Sequence, residues 1–322
     1  MKNQSMNTLR QITHQIRSSA LLLLALLAIA NPVAAQAPAA PGEMGPTLSR
    51  IASSGTIFVA HREAAIPFSF VASGDSDAAV HGYSWEICGH IIKAAEARLG
   101  QDIKVVPVVV SANSQIMMVK VGMADLECGA TTNNVARQKQ VAFSNTIYVA
   151  NVRLMVRKDS GVKRIADLAN KRVVTTLGTT ADRLIKQAAL ANNITIQYLM
   201  GRSHAESMGM IVRGEADAYV GDDAIIAGER ANLSMQDQLV FLDEVLATEP
   251  YGIMLRREDP QFKTLVDDTI VGLMKSGELE RIYNKWFMSP IPPNGANLQM
   301  PMSEKLKAAI AKTRDAVTDG KT

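Results

Sequence analysis

Arg137 is the residue of this chain best suited to fix an anion. It belongs to Glu127-Cys128-Gly129-Ala130-Thr131-Thr132-Asn133-Asn134-Val135-Ala136-Arg137-Gln138. Val119 to Leu126 upstream reads as a helix end, a turn and a short strand, and Val135 to Val141 as one or two helical turns. Thr and Asn stand between them, where N-caps belong. Such a junction aims backbone N–H groups at one spot and favours an anion there. Arg137 adds a fixed charge on a planar fork that suits a carboxylate. Alone, the stretch is better explained as a capped surface helix with a solvated Arg. Other chemistry-bearing residues at predicted strand ends change that reading: Arg62, Thr176 with Thr179 and Thr180, His204 and Asp222.

The elements that must position these residues follow from periodicity. Leu48, Ile51 and Ala52 share one face of a short opening helix, and Thr56 to Ala60 is a β-branched strand. Pro67 stops regular structure, so His61 to Phe70 reads as a loop. Ile87, Ile91, Ala94, Ala95 and Leu99 recur at helical spacing. Ile103 to Val110 is a Val-rich strand, and Ser111 to Gln115 caps a helix through Val121. A long extended run from Thr146 to Val156 then leads into a second βα series. Its strands are Arg172 to Thr176, Ile194 to Leu199 and Ala216 to Val220. Its helices are Ala181 to Ala191, Ala205 to Arg213 and Ala224 to Ala231. Leu239 to Leu246 and Tyr251 to Arg256 are extended, and helices follow over Phe262 to Ser276, Leu279 to Phe287 and Met302 to Lys312. Two alternating α/β halves imply two parallel-type sheets, with ligands bound beyond the strand C-termini.

Composition bounds the setting. Residues 2–17 hold Lys2, Arg10, Arg17 and no acid; Ala20 to Ala30 is apolar, and Val33-Ala34-Ala35 offers small residues for cleavage. This is a secretory signal peptide, too short in its apolar core to span a bilayer, which takes roughly 20 residues. Cleavage near Ala35 removes three bases, so 34 Lys and Arg become 31, equal to the 31 Asp and Glu. The mature chain is therefore near neutral and carries no charge footprint for nucleic acid. Its length, 322 residues less 35, suits two lobes better than one core. No Cys-x-x-Cys, His-Glu-x-x-His or Gly-x-Ser-x-Gly is present, and His61, His81, His90 and His204 lack metal-ligand spacing. No cofactor and no metal are expected.

Trp286 within Gly277 to Phe287, the Thr-Thr-Asn-Asn-x-x-Arg-Gln stretch and the Gly178-Thr179-Thr180 turn together match one family. The chain resembles the periplasmic amino-acid-binding proteins of ABC importers, and within them the glutamate/aspartate-binding branch, over nearly all of residues 47–306. The resemblance implies an α/β, two-lobed periplasmic-binding-protein fold of type II, with two crossover segments and the ligand in the interlobe cleft. It divides the chain into a signal peptide (1–35), a disordered leader (36–46), a first lobe (47–147 and 250–322, with a C-terminal tail helix) and a second lobe (148–249). Arg137 then matches the partner of the ligand α-carboxylate, with Thr132, Thr179 and Thr180 as helpers. Asp222 matches the acid that takes the α-ammonium. Arg62, Thr176 and His204 match positions at the ligand side-chain end. Three positions depart from the branch. Gln115 stands where it has a second Arg, Ala112 where it has Ser, and Ala130 where a Ser contacts the ligand amino group, although the Ala130 carbonyl remains.

The implied function is capture of an amino acid, glutamate, aspartate or a related dicarboxylate, in the periplasm by a monomer that delivers it to an inner-membrane ABC permease. One alternative is a neutral polar ligand such as glutamine, because the Gln115 amide both donates and accepts. Another is a periplasmic dehydratase-like enzyme on the same fold, for which Glu63 and His204 are the acid/base candidates. A sensory domain would need a membrane segment or signalling module. Arg62 and His204 have plain alternatives as a solvated loop residue and a helix cap, and Asp223 is expected to be an N-cap. Cys88 and Cys128 are expected to be two buried free thiols rather than a disulfide. Truncating one partner of a buried charge pair costs roughly 2–5 kcal/mol. Arg137→Ala should therefore weaken ligand binding at least about thirtyfold by calorimetry; normal affinity in that variant would mean the site lies elsewhere.

Overall fold

The computed structural model describes residues 44–72 and 79–318. The signal peptide expected over 1–35, and the leader up to residue 43, lie outside them. Helix α1 (Pro46–Ser54) opens with Pro at its first position and closes on Gly55, which turns left-handed at φ 64° where a side chain would be strained. The chain continues through β1 (Thr56–Arg62), β2 (Ala64–Ala65), β3 (Ser69–Val71), β4 (Val80–His81), α2 (Tyr83–Leu99), β5 (Lys104–Val110), α3 (Gln115–Lys120), β6 (Leu126–Glu127), α4 (Val135–Gln138) and β7 (Ala142–Phe143). Then come β8 (Tyr148–Arg157), a 3₁₀ turn (Ile165–Leu168), β9 (Arg172–Thr176), α5 (Ala181–Ala191), β10 (Gln197–Gly201), α6 (His204–Val212), β11 (Ala218–Asp222) and α7 (Asp223–Asn232). β12 (Leu239–Tyr251), β13 (Met254–Leu255), α8 (Pro260–Ser276), α9 (Glu278–Phe287) and α10 (Glu304–Thr318) complete it.

Two five-stranded sheets carry the fold, in the orders β5-β1-β6-β13-β7 and β10-β9-β11-β8-β12. Neither is purely parallel, which corrects the expectation. β1 pairs in parallel with β5 and β6, but β13 runs antiparallel to β6 and β7. β9 pairs in parallel with β10 and β11, but β8 runs antiparallel to β11 and β12. The reason is that β8 and β12 form one antiparallel ribbon, from Tyr148 beside Tyr251 to Arg157 beside Leu239. At one end of this ribbon Tyr148, Ala150 and Tyr251 pack in the core around the first sheet; at the other Val152, Leu154, Val156 and Leu242 pack in the second. Pro107 is tolerated in β5 because β5 is an edge strand.

Two more expectations are corrected. His61 to Phe70 is not one loop: β1 runs through Arg62, and β2 and β3 pair as part of a small antiparallel sheet with β4. Pro67 sits in the turn between β2 and β3, where no ladder hydrogen bond is asked of it. Cys88 and Cys128 are joined in a disulfide, not free. Ile87, Cys88 and Ile91 are on the buried face of α2, and that packing brings the Cys88 Cα within 6.2 Å of Cys128 just beyond β6, inside bridging range. A bridge that spans 40 residues stabilises by about 4 kcal/mol in the chain-entropy account. Unreduced protein should show no alkylated cysteine by mass spectrometry after denaturation, and reduction should lower its denaturant midpoint. Two alkylated thiols in the unreduced protein would exclude the bridge.

Candidate functional site

The ends of four strands converge between the two sheets. Beyond β6 the chain reaches α4, where the Asn134 side chain accepts the Arg137 backbone N–H at 3.0 Å. That cap fixes the start of a one-turn helix and with it the direction of the Arg137 side chain. The guanidinium donates to the Thr132 carbonyl at 3.0 Å on its own half and to the Gly178 carbonyl at 3.2 Å on the other. At Gly178 the halves touch: φ is 84°, and a Cβ there would lie 2.6–2.7 Å from backbone atoms of Ala112 and Asn113. Only glycine allows that approach.

At the end of β11, Asp222 caps α7 by position, but its carboxylate turns instead to the Tyr251 hydroxyl, which donates to it in a short hydrogen bond. Burial and then the charge of Glu249 push the Asp222 carboxyl up to about 7, against the opposing pull of the Tyr251 hydrogen bond and Arg137. Asp223 is not the N-cap that was expected. It is the first residue of α7, and its Oδ1 accepts the backbone N–H of Ala224 at 2.9 Å and of Asn151 at 3.2 Å.

Glu249, on β12, collects two hydroxyls from opposite halves. Thr132 donates to its Oε2 at 2.7 Å and Thr180 at 2.6 Å. Both threonines were expected to help Arg137 hold a carboxylate, which requires that they donate to it; their single protons are committed to Glu249 instead. Thr179 turns its hydroxyl to the Thr176 carbonyl at 2.7 Å.

The other end of the site is built on Arg62, at the end of β1, and Gln115, at the start of α3. Arg62 donates to Gln115 Oε1 at 3.4 Å, and Thr131 stands 3.1 Å from the same oxygen. The Gln115 carbonyl is thus taken, and its N–H₂ is what the amide has left to offer. Glu127 is fully buried behind Arg62, with Oε2 2.7 Å from the Thr131 hydroxyl. Burial raises its pKa, while Arg62 and Arg137 pull it down. His204 lies near Tyr219, with Nδ1 3.0 Å from the phenol oxygen. Burial, then Arg62, holds its pKa well below the usual value, so the cationic form open to a His from sequence alone is disfavoured here.

Arg62, Gln115, Ala130, Thr132, Arg137, Thr179, Thr180, His204 and Asp222 line one cavity, together with Ala112 and Ile225. Thr176 does not line it; its hydroxyl supports the wall at 2.8 Å from Ser207, 3.0 Å from Tyr219 and 3.3 Å from His204. The cavity measures about 10 Å³, room for about one water, so the halves are closed on each other. Glu63 is exposed and faces a neighbouring groove with Arg202 and Glu206, which shares Arg62 with this cavity. Sequence reasoning missed Glu127, Tyr251 and Glu249. Glu127 opens the stretch read as the site but is given no role there, and the other two stand in a β-rich run where alternation alone marks no acid or phenol as functional. Among the described residues no group of three or more His, Cys, Asp and Glu is arranged to hold a metal ion, and no helix is long and apolar enough to cross a membrane.

Two lobes joined by a crossing ribbon, with buried charges gathered where they meet, define a cleft-type solute-binding protein. The chain belongs to the bacterial extracellular solute-binding proteins, family 3, whose pattern matches residues 57–289. The glutamate/aspartate import solute-binding protein of Escherichia coli K12 is 38% identical to it over 302 residues, 94% of this chain and 98% of its own length. The L-glutamate/L-aspartate-binding protein of Pseudomonas aeruginosa is 39% identical over 284 residues, 88% of this chain and 93% of its own. Among solved structures, a mutant of the arginine-binding protein of T. maritima aligns with a TM-score of 0.64 at 28% identity, over 74% of this chain and 98% of that one.

Asp222 sets a pH dependence. A cationic group on a ligand needs the ionised carboxylate, and with Asp222 at about 7 protons compete for it from neutral pH downward. Affinity for an ammonium-bearing ligand should be level above pH 8 and fall from pH 7 to 5, by up to about tenfold per unit. Calorimetry across pH 5–8 checks this. Asp222→Asn should bind more weakly and lose the slope, and a flat profile in the unmutated protein would contradict it.

Proposed function

We propose that this chain is a periplasmic carrier that captures an acidic amino acid, glutamate or aspartate, and delivers it to an inner-membrane ABC permease, acting as a monomer after cleavage near Ala35. The names of the two bacterial relatives favour that ligand class. The observation that carries the reading in this chain is the pair of buried guanidinium groups, Arg62 and Arg137, on the wall of one cavity that Asp222 also lines.

An acidic amino acid has two carboxylates and one ammonium. Arg137 and the start of α5, whose positive dipole end lies at Thr180, suit the α-carboxylate. Asp222 and the Ala130 carbonyl suit the ammonium. Arg62 suits the second carboxylate, an expensive charge to leave unpaired in a closed cleft. Gln115 adds N–H donors at that end because its oxygen is already engaged by Arg62. That fixed orientation favours a carboxylate over a terminal amide, whose own N–H₂ would meet donors. Glu127 works against this by offsetting part of the Arg62 charge. The dehydratase-like reading loses one of its two acid/base candidates, because Glu63 does not line the cavity.

Arg62→Gln separates the charge effect from shape. It should weaken glutamate binding at least about thirtyfold, the low end of the roughly 2–5 kcal/mol for a broken buried charge pair, and change glutamine binding by less than about threefold. Calorimetry with both ligands on both proteins is the measurement. An equal loss for the two ligands, or an unmutated protein that ignores acidic amino acids, would overturn the acidic reading.

A further inference from the structure

Glu249 has no role in the binding scheme above, yet it sits at the junction of every part of it. It stands on β12 opposite Ala150 of β8, at the stretch where the two-strand ribbon leaves the first core. It is buried. Its Oε2 receives the Thr132 hydroxyl from the first half and the Thr180 hydroxyl from the second. Its charge is the foremost of those that act on Arg137 and on Asp222.

A hydroxyl has one proton and two lone pairs. With both protons donated to Glu249, Thr132 and Thr180 can meet a molecule in the cavity only as acceptors. Two acceptor oxygens in a cavity that Asp222 also lines are complementary to an ammonium group and poorly matched to a carboxylate. The α-carboxylate is then left to Arg137 and the backbone N–H groups that open α5. We propose that Glu249 is a positioning residue of the ligand site: by taking the hydroxyl protons of Thr132 and Thr180, it turns both oxygens into acceptors for the ligand's ammonium. The proposal rests on the amino-acid-binding reading, and it reverses the part expected of the two threonines. The same two bonds join both halves to the ribbon between them, so the acceptor pair is complete when the halves are closed.

The test compares glutamate with glutarate, which keeps both carboxylates and lacks the ammonium. Calorimetry gives the affinity ratio in the unmutated protein, in Glu249→Leu and in Glu249→Gln, with the melting temperature of each ligand-free protein as the check on folding. The unmutated protein should prefer glutamate. In Glu249→Leu the hydroxyl protons are free to turn into the cavity, and the preference should fall at least about tenfold, with glutarate binding unchanged or tighter. Glu249→Gln retains an acceptor oxygen without the charge, so its preference should lie between the two, at least about threefold below the unmutated value. If Glu249→Leu does not fold, Glu249→Gln decides by that threefold mark. A preference that survives in both variants, or an equal loss for both ligands, overturns the role of Glu249. No preference for glutamate in the unmutated protein overturns the ammonium site itself.

Discussion

Charge buried in a closed cleft must be compensated, and this constraint orders the site. Arg62 and Arg137, with Glu127, Asp222 and Glu249, are all nearly out of solvent. An isolated ion there would be costly, and paired ions persist only where geometry and added hydrogen bonds offset desolvation. Every one of the five has such support. Arg137 has two carbonyls, Asp222 the Tyr251 hydroxyl, and Glu249 two threonines. Arg62 has the Gln115 oxygen, and Glu127 the Thr131 hydroxyl. One lone pair of need remains: Glu127 Oε1 is buried without a hydrogen-bond partner. The same burial raises the Glu127 pKa, against the opposing pull of the Thr131 hydrogen bond and of Arg62.

The framework that holds these groups is stiff where they attach. Tyr251, which anchors Asp222, packs edge-on to Phe68 at 5.3 Å and tilted on Tyr148 at 5.6 Å, and Tyr148 stacks on Phe287 at 5.2 Å. This aromatic core lies beneath the crossing ribbon, so the ribbon's near end is fixed to the first sheet. The Cys88–Cys128 bridge ties α2 to the chain just past β6, directly ahead of the turn that carries Ala130 and Thr132. Rigid support of this kind matters because a binding group displaced by even an ångström loses most of its hydrogen-bond energy.

How much of this could be read in the sequence depended on range. Asn134 and Arg137 are legible because a cap and its helix are separated by three residues, and their chemistry is local. Asp222 is legible as an acid at a strand end. The disulfide is not, since sequence supplies no Cα separation for Cys88 and Cys128, and the preference for free thiols failed on tertiary packing. Pro67 nearby makes Arg62 read as a loop residue, but pairing with β5 carries β1 through it. Gln115 was legible as a neutral substitute yet not in orientation, because the acceptor end is chosen by Arg62, 53 positions away. Glu249 is the extreme case. Its partners are 117 and 69 positions distant, and nothing within its own strand distinguishes it.

The closed arrangement also carries a consequence for binding energetics. The groups that bridge the halves are the groups that face the cavity: Arg137 reaches the Gly178 carbonyl, and Glu249 gathers Thr132 and Thr180. With room for about one water, a ligand of amino-acid size enters only after the halves separate, which breaks these same bonds. The ligand must then return more than it displaces. A carboxylate on Arg137 does so, because it brings a full negative charge to a guanidinium whose hydrogen-bond partners in the empty state are uncharged carbonyls. Affinity is therefore a difference between two closed states, and a contact made more strongly in the empty one weakens apparent binding. At Gly178 the halves meet closely, backbone against backbone of Ala112 and Asn113 with no side chain between. The fit of the empty halves to each other is a determinant of ligand affinity as direct as the fit of the ligand.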